Sequence, residues 1–206
     1  MKLAAQHLAQ HFGPRLYRAS QRLLAPGSAQ QLGAQLVTLL EGWRPTGAVI
    51  DVGCADASLL DALGFAPVGI ERSYDRARAF GRAVQADAAQ LPIRSGSVGL
   101  SFCCGLLHHL PERDACSALT EMHRVLATGG RLLVFDAVLP RRRWRQPLAM
   151  GIRALDRGGY QRSEESLSAL LHTALPQLAW RIERAAYTTT GLEGLWCMAE
   201  ARPTCR

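Results

Sequence analysis

Lysine is almost missing from this chain. Of its 24 basic residues Lys2 is the only lysine, and the formal charge of +7 rests on arginine. No apolar run approaches the ~20 residues of a membrane-spanning helix. Residues 1–22 carry Gln6, His7, Gln10, His11 and Arg15 among their apolar side chains. These interrupt the apolar centre of a secretory signal, so the expected location is the cytoplasm. No C-x-x-C pair occurs among the six cysteines, and Cys54, Cys103 and Cys104 fall in or beside apolar runs. They read as buried free thiols, with no zinc site expected. No G-x-G-x-x-G series follows a strand, which weighs against a nicotinamide-binding turn. No N-P-P-[YF] phrase is present to flip and stack a nucleic-acid base.

What is present has the composition of an ordinary globular domain. The chain has 206 residues, 48% apolar and 20% charged, with no visible repeat or low-complexity tract. A single α/β domain over 1–206 is the simplest reading. Residues 1–43 read as helical, with Leu32, Leu36, Leu39 and Leu40 at helical spacing and a break at Pro26–Gly27. Residues 1–45 thus form an N-terminal helical cap. Short apolar runs then predict strands at 48–52, 67–71, 83–86, 98–104 and 131–136. Helices are predicted at 58–63, 75–81, 111–127 and, capped by Ser163, up to Ala174. Gly129-Gly130 reads as a sharp turn. Two last strands, 178–188 and 195–200, are joined by a turn over Gly191–Gly194.

Strands alternating with helices imply a doubly wound, mostly parallel sheet with helices on both faces. The last connection is too short for a crossover, so it is a hairpin and one strand runs antiparallel. Ligands in such sheets bind beyond the carboxyl ends of the strands. The first strand ends in Asp51-Val52-Gly53-Cys54-Ala55-Asp56-Ala57, whose small residues permit close approach to the backbone. A carboxylate at Glu71 can accept from both hydroxyls of a ribose, and Asp87 can accept from an exocyclic amine. The fourth strand runs out into Cys104-Gly105-Leu106-Leu107-His108-His109.

The phrases VIDVGCADASLL, VGIERS, QADAAQLPIRSGSVGLSFCCGLLHHL and HRVLATGGRLLVFD, between Val49 and Asp136, resemble the class I S-adenosylmethionine-dependent methyltransferases. The similarity is to the branch holding many quinone, lipid and small-molecule methylating enzymes. It implies a seven-stranded Rossmann-like fold and S-adenosylmethionine as cofactor, with S-adenosylhomocysteine as product. The resemblance puts Asp51 and Gly53, with Cys54 and Ala55, beside the methionyl part of the cofactor. It puts Glu71, with Arg72, on the ribose. Asp87, with Ala88, falls on the adenine, and Cys104 and Gly105 on the methionyl amine. Two positions depart from the family pattern. Ala55 and Ala57 stand where further glycines are usual, and Gly99 replaces an acid near the start of the fourth strand.

His108 and His109 follow the fourth strand and are the candidate bases for an acceptor that must lose a proton. Residues 137–162 form a basic insertion after the fifth strand, with Arg141, Arg142, Arg143 and Arg145 around Trp144. Arg143 and Trp144 are the candidate acceptor-binding pair, as part of a lid or of a surface that touches a membrane peripherally. The expected acceptor is a small molecule or lipid-like, with no obligate protein partner. The alternatives are RNA methylation, which the basic charge permits, and a non-catalytic cofactor-binding protein, which the alanines in the turn permit.

Overall fold

The computed structural model describes residues 27–141, 159–188 and 191–201. Helix α1 (Ser28–Leu39) presents Leu32 and Leu36 on one face, four residues apart, and buries both. Strand β1 (Ala48–Val52) becomes progressively buried along its length. A 3-10 turn at Leu59–Leu63 stands where an α-helix is predicted. Ser58 caps it by accepting from the Leu60 N–H, and Gly64 in the left-handed region ends it after five residues. Strand β2 (Val68–Glu71), helix α2 (Tyr74–Phe80) and strand β3 (Ala83–Gln85) follow.

Strand β4 (Val98–Cys104) is almost wholly buried. Helix α3 (Glu112–Arg124) starts after Pro111 and buries Ala115, Ala118, Leu119 and Met122. Strand β5 (Leu126–Ala137) is longer than predicted. Gly129-Gly130 lies inside it instead of forming a turn, because the register against β4 shifts there. Two backbone hydrogen bonds to Ala201 hold the bend. Helix α4 (Glu164–Ala174) is capped by Ser163 as predicted. Strands β6 (Arg181–Ala186) and β7 (Glu193–Glu200) close the chain as the predicted hairpin. Gly194 falls within β7, paired with Ala137, and a side chain there would strike the Phe135 ring.

The sheet order is β3-β2-β1-β4-β5-β7-β6. All pairings are parallel except β5–β7 and β6–β7, so β7 alone runs against the rest. Two apolar layers cover the two faces. Leu119, Met122, Leu167, Leu170 and Leu171 of α3 and α4 pack on one. Leu32, Leu36 and Leu40 pack with Phe102, Leu133 and Trp196 on the other. Each such side chain contributes about 1.5–3 kcal/mol relative to exposure. Helix α1 therefore serves the core, and Gln35 fixes it by accepting from the Trp196 indole at 2.8 Å. The first predicted N-terminal helix lies outside the described residues. Gly99 also gains a reason: a side chain there would meet the Thr46 carbonyl at 2.7 Å, so no acid fits. Among the described residues no helix is long and apolar enough to cross a membrane.

Candidate cofactor and acceptor site

Strand order reverses between β1 and β4, so their carboxyl ends flank a crevice. Asp51 is 3% exposed in β1, paired with Gly69 of β2 and Phe102 of β4. Burial raises its pKa from 3.8 to about 7. A hydrogen bond with Ser58 opposes the rise, and Asp61 and Glu71 add to it. The charges that reach this buried acid are therefore negative, an arrangement that suits a cationic ligand group. Gly53 has φ 77° and donates to the Ile70 carbonyl at 2.7 Å. A Cβ on it would come within 2.9 Å of the Leu106 side chain. Cys54 is buried, and burial first, then Asp51 and Glu71, push its thiol up to about 12. It is an inert packing group.

Ala55 adopts the left-handed region at φ 52°, where glycine would be unstrained. The conformation aims the Ala55 N–H at Glu71 Oε2, 3.1 Å away. The other oxygen of Glu71 accepts from the Ser73 N–H at 2.9 Å. Two backbone donors thus lock this carboxylate, and each oxygen keeps a lone pair for a diol. Asp87 is fixed in the same way by the Ala89 N–H at 2.9 Å. The Arg72 carbonyl accepts from Gln85, tying β2 to β3.

Glu71, Arg72, Asp87 and Ala88 line one cavity with Gly53. Asp51, Cys54, Ala55, Cys104 and Gly105 stand around the crevice but are not on that wall. Besides Ile70 and Ala86 of the sheet side, Leu106, Leu110 and Asp114 also line it. These three were not singled out in the sequence, where they read as an ordinary loop and helix start. The buried acid, the locked diol acceptor and the second carboxylate fit the cationic amino-acid part, ribose and adenine of S-adenosylmethionine. Burial raises the Cys104 thiol too. The Gly105 N–H donates to the Phe135 carbonyl at 2.8 Å, which turns the chain away from β4.

That turn leads into the histidines. His109 is exposed, whereas His108 is 7% exposed. Their rings lie 4.1 Å apart. His108 Nδ1 is 2.5 Å from Asp136 Oδ1, and the His108 backbone N–H donates to Asp136 Oδ2 at 2.9 Å. The Ala137 N–H adds a third hydrogen bond to Asp136, at 2.8 Å. Burial opposes ionisation of Asp136. The attraction of His108 and these hydrogen bonds outweigh it and hold the carboxyl below the ordinary range. Asp136 was missed as a site residue: it ends the predicted fifth strand, just as Asp51 sits near the end of the first. That parallel is the signal that could have found it.

The insertion after β5 leaves and returns beside this pair. Leu139 donates to the Arg162 carbonyl, and Tyr160 donates to the His108 carbonyl. The Arg162 guanidinium donates to the Leu107 and Leu110 carbonyls at 2.6 and 3.0 Å. Arg143 and Trp144 lie outside the described residues. Arg141 is held by both oxygens of Glu164, and Arg184 bridges Glu164 and Glu193. Among the described residues no group of three His, Cys, Asp or Glu side chains is placed to hold a metal.

A seven-stranded sheet of this order, with acids closing β1 and β2, defines the class I methyltransferase fold. Residues 50–134 match the family described as "Methyltransferase domain". The matched core lies within a sheet that has the order of the class I S-adenosylmethionine-dependent methyltransferase fold. It is 30% identical over 99 residues to the mouse tRNA (carboxymethyluridine(34)-5-O)-methyltransferase ALKBH8. That alignment covers 44% of this chain and 15% of the mouse protein. The chain thus matches a small part of that relative. Its fold is similar to a SAM-dependent methyltransferase, possible histamine N-methyltransferase, from Thermotoga maritima. There the TM-score is 0.71, with 16% identity over 96% of this chain and 100% of that one. Geranyl diphosphate C-methyltransferase from Streptomyces coelicolor, solved with geranyl diphosphate and S-adenosyl-L-homocysteine, gives a TM-score of 0.62 at 13% identity. That match covers 83% and 77% of the two chains.

Proposed function

We propose that this chain binds S-adenosylmethionine at the ends of β1, β2 and β4 and transfers its methyl group to a small-molecule or amphipathic, lipid-like acceptor. The carrying observation is the Glu71 carboxylate, locked by Ala55 and Ser73 at the edge of the crevice. The cofactor supplies, when bound, a methyl group activated by a sulfonium. The chain has to hold the acceptor in line with it and keep water out. Asp51 answers the positive charge, and Glu71 and Asp87 fix the nucleoside. The described ends of the basic insertion are tied beside the histidine turn, which supports assigning the acceptor side to this segment of the sequence.

Glu71→Ala loses charge-assisted hydrogen bonds worth about 1.5–3 kcal/mol, a roughly tenfold to hundredfold weaker affinity. Calorimetry with S-adenosylhomocysteine reads this directly, and unchanged affinity removes Glu71 from the ribose site. The acceptor class is read by incubating cell extract with the chain and methyl-tritiated S-adenosylmethionine. The products are then separated into small-molecule, lipid and nucleic-acid fractions. Label in either of the first two supports the reading. Binding without turnover to S-adenosylhomocysteine makes the chain a non-catalytic binder. RNA is the second reading, favoured by the 99-residue similarity to a tRNA-modifying enzyme and the charge of +7. Label in the nucleic-acid fraction, with salt-sensitive binding of transfer RNA, would establish it.

A further inference from the structure

We propose that Leu106 plugs the cofactor crevice and that Arg162 is a positioning residue for cofactor binding: through the carbonyls of Leu107 and Leu110 it holds the turn that carries the plug. This rests on the methyltransferase reading above. It makes the cofactor's affinity depend on a residue outside the crevice.

Gly53 is where a ligand can come closest to the backbone of the first strand's turn, and Leu106 occupies that space. A Cβ on Gly53 would lie 2.9 Å from Leu106 Cδ1, 3.3 Å from its Cβ and 3.4 Å from its Cδ2. Both residues line the cavity, whose volume of about 80 Å³ is too small for a nucleoside with an amino-acid arm. A change of rotamer swings the δ carbons aside but leaves the Cβ in place. Room over Gly53 therefore requires the backbone of the turn to move.

That backbone is held from two sides. Toward the sheet, the Gly105 N–H donates to the Phe135 carbonyl at 2.8 Å and the His108 N–H to Asp136 at 2.9 Å. From outside, Arg162 donates to the carbonyls of Leu107 and Leu110 at 2.6 and 3.0 Å, and the Tyr160 N–H to that of His108 at 3.0 Å. The bond to Asp136 is buried, whereas those from Arg162 are only partly so. Gly105, at φ 68°, is the soft link between strand and turn. The turn therefore tilts about its sheet-side anchors, and the outer hydrogen bonds are the ones that break. Two arrangements follow: plugged, with the outer bonds made, and open, with the crevice clear. The cofactor binds the open one, so its apparent affinity is lowered by the fraction of chains that are open. An open arrangement held by about a tenth of the chains or fewer costs roughly tenfold or more in affinity.

The test measures amide hydrogen exchange and calorimetric affinity for S-adenosylhomocysteine on the full chain, as wild type, Leu106→Ala and Arg162→Met. In the wild type, saturating ligand should quicken exchange at the Tyr160 amide about tenfold. The Leu139 amide, which donates to the Arg162 carbonyl across the seam, should stay unchanged. Leu106→Ala removes the packing on Gly53 and should bind roughly tenfold more tightly. Arg162→Met should also bind more tightly, by about threefold or more. A merely structural Arg162 would leave the affinity unchanged or weakened, and that outcome in a folded variant overturns its positioning role. Tyr160 exchange that slows or holds steady as ligand binds overturns the proposal, whether or not either variant folds. So does a folded Leu106→Ala that binds no more tightly than the wild type. Failure of every form to bind S-adenosylhomocysteine instead overturns the methyltransferase reading. The link between plug and turn is then decided without ligand: Leu106→Ala alone should quicken Tyr160 exchange, and an unchanged rate overturns it.

Discussion

Asp51 carries the sharpest consequence of burial. Its pKa in the fold is about 7 against an ordinary 3.8, so the folded chain holds a proton that the unfolded chain has lost. Its contribution to stability is whole below the ordinary value and is lost as pH rises through about 7. Chemical denaturation between those limits should therefore show stability falling with pH, and Asp51→Asn should flatten that fall. A cationic ligand needs the ionised form and reverses the trend. The affinity for S-adenosylmethionine should strengthen close to tenfold per pH unit below about pH 7 and level off above it. A pH-independent affinity would show that Asp51 does not meet the ligand's charge. The neighbouring Ala55 shows what a family departure costs at one residue. It takes the left-handed conformation regardless, at roughly 1–2 kcal/mol, because its N–H is needed on Glu71.

At the scale of elements, Arg162 is the joint between the insertion and the histidine turn. Its guanidinium satisfies the carbonyls of Leu107 and Leu110, on either side of His108. Arg162→Met keeps the apolar stem and removes both hydrogen bonds, which should cost about 1.5–3 kcal/mol. Hydrogen exchange at Leu110 and Tyr160 should quicken while that at β4 stays slow. Uniform quickening would mean that Arg162 supports the whole fold instead. Elements also show what was legible in the chain. The strand ends carrying Asp51, Glu71 and Asp87 could be read, because a buried parallel strand is a short apolar run with a chemically distinct residue at its end. The bend at Gly129-Gly130 could not, because whether two glycines turn a chain or bulge a strand depends on what pairs beside them. Here Val98 and Ala201 decide it. Asp136 was hidden for a similar reason: its partner is 28 residues away, and no local spacing announces it.

For the whole molecule, the crevice and its ligand are coupled through stability. The cavity beside Gly53 measures about 80 Å³, well below the ~300–1,000 Å³ of typical ligand pockets. The proposed cofactor site therefore requires Leu106, packed on Gly53, to give way on binding. Ligand at about 100 times its Kd stabilises the folded state by about 2.7 kcal/mol. In a chain of this size that should raise Tm by roughly 5–11 °C, with S-adenosylhomocysteine as the probe. No shift at saturating ligand would exclude this crevice as a binding site. Val138 pairs directly with Arg162, so the two sides of the insertion meet at a single seam. That seam offers a place to splice: sequence of another length or composition grafted between its two sides should leave the hydrogen bonds that fix Glu71 and Asp87 in place.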